Sequence, residues 1–184
     1  DVNAQKWKAN VYWRRHYDRF ELFRNNPPAW YKNHNYHLSD VAGASVNKTF
    51  SWKKHKTSLG ADFRMEHIFS NVLGTAMNSP IAVAGTDSAY YTKSAQRNGF
   101  SIMGEHRYAI KKFSISGGAL VYVSNQLEHD LSLYPGIDLG FQISKPLRIF
   151  ATANRSLRLP NFTNLYYSSP TNIGNPLLKP EEAI

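Results

Sequence analysis

Three charged side chains stand two residues apart at Asp62, Arg64 and Glu66. On an extended chain that spacing puts them on one face with about 7 Å between neighbours, near enough for ion pairs along the strand or across to the next. A second set, Arg97, Glu105 and Arg107, shares one parity in a later segment. Groups so arranged can line an aqueous path, dock a second protein surface or simply be solvated. Arg155 and Arg158 add point charges suited to an anion or a carboxylate. Phe162, Tyr166, Tyr167, Tyr90 and Tyr91 add rings that can stack on a flat ligand.

Other chemistries have little to stand on. No serine sits in a nucleophile elbow, so acyl-transfer catalysis is not expected and the chain does not read as an enzyme. The absence of cysteine from the 184 residues excludes thiolate ligands and disulfides. His34 and His37 are three apart, a spacing that shares a face only on a helix, and no carboxylate cluster completes a metal site. No cofactor is expected. The net charge of +9 raises nucleic acid as a partner. Its cations, however, are scattered over Lys6, Lys8, Arg14, Arg15 and Arg19 and a turn at Lys53, Lys54 and Lys56, without a helix or stacking platform, and nucleic acid is not expected.

The elements that must carry these side chains are strands. Between Ser58 and Glu66, Leu59, Ala61, Phe63 and Met65 take one parity while Ser58, Gly60, Asp62, Arg64 and Glu66 take the other. The alternation recurs in about seven segments, roughly 5–23, 38–52, 58–66, 97–108, 113–124, 137–143 and 147–154. The links run long, short, long, short, medium, short, long. Residues 70–94 read as a polar loop, 109–111 as a tight turn, Pro135 as lying at a strand start, and Gly117-Gly118 as a site of curvature or a bulge. On the first segment Trp7 and Tyr17 lie ten residues apart on the apolar face, which at ~3.3 Å per residue and a ~45° tilt suits two interfacial aromatic belts. No run approaches the roughly 18 apolar residues of a membrane helix. The fold class expected is all-β, an antiparallel up-and-down meander of about seven strands from an incomplete transmembrane barrel, apolar side to lipid and polar side to water. A soluble β-sandwich is the alternative from these residues alone.

The last thirty residues are the least strand-like and the most distinctive. Asn154-Arg155-Ser156-Leu157-Arg158-Leu159-Pro160-Asn161-Phe162-Thr163-Asn164-Leu165-Tyr166-Tyr167, followed by Gly174-Asn175-Pro176-Leu177-Leu178-Lys179-Pro180-Glu181, resembles the barrel signature of TonB-dependent outer-membrane receptors. The stretches Tyr17–Leu22 and Gly60–Glu66 are similar, less specifically, to strands of the cobalamin-receptor-like branch. The resemblance implies that residues 1–184 are a fragment of the barrel domain, with a signal peptide, a plug domain and C-terminal strands outside it. It implies location in the bacterial outer membrane in contact with lipid. The function implied is active import of a large scarce solute, a corrinoid, haem, ferric siderophore or glycan, driven through the energy-coupling protein TonB. A passive porin is the alternative within the membrane class. On this reading Asp62, Arg64, Glu66, Arg97, Glu105 and Arg107 face the lumen and plug, and the loop arginines and aromatics face the solute.

Overall fold

The computed structural model describes residues 4–26, 28, 29, 31, 34–126, 131–169 and 172–184. Eight strands form the main sheet: β1 (Ala4–Phe20), β2 (Asn35–Trp52), β3 (His55–Ser70), β4 (Thr75–Ala82), β5 (Tyr90–Ile110), β6 (Phe113–Ser124), β7 (Ser132–Gln142) and β8 (Arg148–Asn154). The path β1-β2-β3-β5-β6-β7-β8 is antiparallel throughout and does not close on itself, so the fold is an open meander of the kind expected. Along it the alternation keeps one register: Phe63 opposes Phe100, which opposes Val123, while Asp62 opposes Ser101, which opposes Tyr122. A slip of one residue would carry every apolar side chain to the polar face, and this is why the pattern fixes the pairing.

The apolar face is uncovered over most of its area. Trp7, Val11 and Trp13 are 66%, 81% and 64% exposed. Two of the links at one end are two-residue turns, Lys53-Lys54 and Lys111-Lys112, each with its first residue at positive φ. The second turn lies at 111–112 rather than 109–111, because β5 and β6 stay paired out to Ile110 and Phe113.

The largest departure from the sequence reading is at 70–94, which is not a loop. β4 pairs with β5, and Lys93 and Ser94 each have partners on both β3 and β4. A strand has only two edges, so the chain between Ser70 and Thr75 must cross over β5. Gly74 makes the crossing at φ +105, where a Cβ would strike the Ser94 backbone. Glycine is the residue able to adopt that φ and that closeness together. The Ser70 hydroxyl, wholly buried, accepts from the amides of Val72 and Leu73 at 2.9 Å each and holds the approach to the crossing. Val83 and Tyr91, at the hairpin end, form the buried cluster with Tyr36 and Leu38, backed by Phe69 and Ala89. The segment reads as polar because β4 is an outer strand, exposed along most of its length and interrupted by Pro80 and a register shift between Ala76 and Ile81.

Two smaller corrections concern β6 and β7. Pairing runs without a shift through Gly117 and Gly118 on both edges, so no bulge forms there. A Cβ on Gly118 would meet the Gly104 carbonyl, and the pair serves close approach between strands instead. Pro135 lies inside β7, opposite Ala119, not at its start, and its carbonyl accepts from the Arg155 amide at 3.0 Å.

After β8 the chain folds a small lobe from β9 (Ser156–Arg158), helix α1 (Phe162–Tyr166), β10 (Ser168–Ser169), β11 (Asn172–Ile173) and β12 (Glu181–Ala183). Asn161 caps α1, its Oδ1 accepting from the Asn164 amide at 2.7 Å. The Gly174 amide donates to Tyr167 and the Asn175 amide to Asn164, closing the lobe around buried Leu165. β12 pairs antiparallel with β9, bringing the chain back beside the sheet.

Candidate functional site

On the polar face the centre of charge is Glu66. Arg64, on the same strand, donates to its Oε1 from Nε at 2.9 Å and from Nη2 at 2.6 Å. Arg97, its cross-strand partner on β5, donates to Oε2 from Nε at 2.8 Å and again from Nη2. Both Glu66 and Arg97 are mostly buried, at 16% and 15% side-chain exposure. Both oxygens of this shielded carboxylate thus accept charge-assisted hydrogen bonds. Asp62 stands outside this group: among the described residues it makes no ion pair, and its expected place in the network is taken by Arg97 from the next strand.

Arg97 does more than neutralise Glu66. Its Nη1 also donates to Gln126 Oε1 at 2.9 Å and to the Pro160 carbonyl at 2.8 Å, and its guanidinium lies 5.3 Å from the Phe162 ring centroid. One side chain thus ties β3, the link after β6 and the C-terminal lobe together. Five donors in a rigid plane allow this, where a lysine ammonium has only three on one point.

The lobe's own cations are engaged as well. Arg158 donates to Glu181, its partner across the β9–β12 pairing, at 3.3 Å, and Arg155, just before β9, donates to Glu182 at 2.6 Å. The Glu182 carboxylate holds the Arg155 guanidinium above its ordinary pKa by hydrogen bond and charge. The two arginines therefore meet carboxylates of this chain.

Between the lobe and the sheet lies a cavity of about 890 Å³ whose lining includes Arg97, Gln126, Tyr134, Phe162 and Tyr166. Two hollows of about 460 and 370 Å³ continue it along the polar face; the first shares Tyr134 with it, and the two share Glu105 and Asp138. The result is one groove running from the lobe toward the short-turn end. Arg107 lines its lower part beside Arg148, whose Nη2 donates to Ser114 at 3.2 Å across Gly140. Asp138 accepts from Thr152 at 2.6 Å and from Ser116 at 3.1 Å.

The structure thus brings Arg97, Phe162 and Tyr166 together at the cavity and sets Glu105 and Arg107 further down the same groove. Tyr91 is instead buried in the hairpin cluster, at 3% exposure, and Tyr90, next to it on β5, is exposed and pairs with Ala82. Gln126, Tyr134 and Asp138 were missed in the sequence. The alternation of 137–143 already sets Asp138 on the polar face, though not as a site candidate, and the same parity carried back to 134 could have added Tyr134, but nothing local marks Gln126. Among the described residues no three His, Cys, Asp or Glu side chains stand together as a metal-holding group.

An open antiparallel meander with one apolar face, one charged face, tight turns at one end and long excursions at the other is the wall of a transmembrane β-barrel. The chain belongs to the TonB-dependent receptor-like β-barrel family, whose model matches residues 2–184. Among solved structures it is similar in fold to the copper transporter OprC, with a TM-score of 0.63 at 17% identity, covering 96% of this chain and 31% of that one. No curated protein matches the chain significantly.

Proposed function

We propose that the chain is part of the barrel wall of an outer-membrane importer that takes up a large, scarce solute with energy delivered through TonB. The observation that carries this reading is the groove on the polar face, roofed at one end by a lobe that Arg97 fastens to the wall. On this reading the polar face is the lumen, Glu105, Arg107, Asp62 and Arg64 meet a plug domain or the passing solute, and Phe162 and Tyr166 sit where the solute enters. The work comes from the inner-membrane proton gradient, so this wall needs neither a nucleotide site nor a catalytic group.

The chain spans 31% of the OprC chain, which supports reading residues 1–184 as one sector of a larger barrel domain. Corrinoids, haem, ferric siderophores and glycans all suit a cavity with aromatic rings beside amides. The test is solute uptake by whole cells with and without the coupling protein. Uptake abolished by that deletion supports the importer; uptake unchanged points to the passive porin.

A further inference from the structure

The cross-strand register arranges the apolar face in rows. Trp52, His55 and Tyr108 form one row at the short-turn end, their rings packed together. Ten positions along each strand (52 to 42, 55 to 65, 108 to 98) lies the row Trp13–Ala42–Met65–Asn98. Ten residues at ~3.3 Å each and a ~45° tilt span roughly 23 Å, close to the ~25 Å apolar band of an outer-membrane barrel. Between the two rows this face presents Val46, Leu59, Phe63, Phe100 and Ile102, all more than a third exposed. The cation within it, Lys48, lies 4.5 Å from the Trp7 ring and 4.7 Å from that of Phe50.

The next row on the same face is entirely polar: Arg15–Asp40–His67–Gln96. Arg15 donates to both oxygens of Asp40, at 2.8 and 2.7 Å. One row further, Leu38 is buried and Phe69 half-buried under the chain's own hairpin, so this part of the face is closed to other occupants. The Trp7–Tyr17 pair expected from the sequence to mark the two belts is therefore interrupted, since Arg15 stands between Trp13 and Tyr17.

We infer that the hydrocarbon of the outer leaflet ends between the Met65 row and the His67 row, and that the Arg15–Asp40–His67–Gln96 row is seated among phosphate-bearing lipid headgroups. The match in height argues for a bilayer as the occupant of the band below. The change from apolar to charged across a single row places its edge, since a charge inside the hydrocarbon costs several kcal/mol while one at the interface costs little. Within the row, the Arg15 side chain is 41% exposed and offers the positive partner for a phosphate, while Asp40 tempers it.

This inference rests on the barrel-wall reading, and the experiment separates the two. The chain has no cysteine. With any cysteine elsewhere in the receptor replaced by serine, single nitroxides can be placed by Ala61→Cys, Met65→Cys and His67→Cys in the complete receptor reconstituted in phosphatidylcholine vesicles. Collision with oxygen should dominate at 61 and 65, and collision with a water-soluble nickel chelate at 67. Oxygen dominance at all three, or a changeover before 65, overturns the inference and leaves the wall intact. Chelate dominance at all three overturns both.

The headgroup arm compares retention of phosphatidylglycerol over phosphatidylcholine by native mass spectrometry. Asp40→Asn frees Arg15 and should raise the preference about fivefold, the effect of one basic side chain near an anionic surface. Arg15→Gln should lower it. Movement in neither overturns the seat.

Discussion

The guanidinium of Arg97 on β5 reaches the carbonyl of Pro160 at 2.8 Å, 63 residues further along the chain, while its other nitrogens hold Glu66. Arg155 also meets β7, through the Pro135 carbonyl, but Arg97 gathers Glu66, Gln126 and Pro160 on one planar side chain, and that concentration of contacts makes it the most informative position to change.

Arg97→Gln removes the charge facing a shielded carboxylate and the donor to Pro160 together. Loss of one partner from a largely buried pair costs up to about 3 kcal/mol, discounted here for the Arg64 contact that Glu66 keeps. Denaturant unfolding should show the loss, and limited proteolysis should cut within 160–180 well before the wall strands. Cleavage at the wild-type rate would mean that Arg97 does not hold the lobe.

Glu66→Gln should recover part of that loss when combined with Arg97→Gln. The two residues share a network, so their effects should fall short of additive. A double-mutant cycle returning strict additivity would separate the ion pair from the lobe's attachment.

Ile102 and Ser101 are neighbours on β5 facing opposite ways. Arginine at 102 enters the middle of the apolar band and should cost about 2–4 kcal/mol in bilayer refolding, whereas arginine at 101 on the polar face should cost little. Equal costs at the two positions would contradict the assignment of faces.

Gly74→Ala places a methyl group against the Ser94 backbone at a φ that favours glycine. A destabilisation above about 1 kcal/mol is expected because both conformation and space oppose the change. Hydrogen exchange should rise first in β4 and the hairpin end, ahead of the β2–β3 pairing.

Much of the architecture was legible in the chain because period-two alternation is a local property. Ser58 to Glu66 declares its two faces without reference to any other segment, and register then follows from matching face to face. The hairpin at 70–94 was not legible, since β4 lies along an outer edge where both sides meet solvent and no alternation is imposed. Only Gly74 marks the crossing, and its meaning depends on Ser94 lying beneath it.

The site divides in the same way. Arg64 and Glu66 could be paired from spacing alone, because two residues on one strand face have a fixed separation. That Arg97 rather than Asp62 completes the network, that Arg155 and Arg158 are met by Glu182 and Glu181, and that Tyr91 is buried away from Phe162 were settled by tertiary structure. Each depends on which distant segments adjoin, and backbone crossings and loop returns decide that where periodicity has no say. The sequence by itself determined two faces and their order; folding in three dimensions decided which charges remain open to a partner.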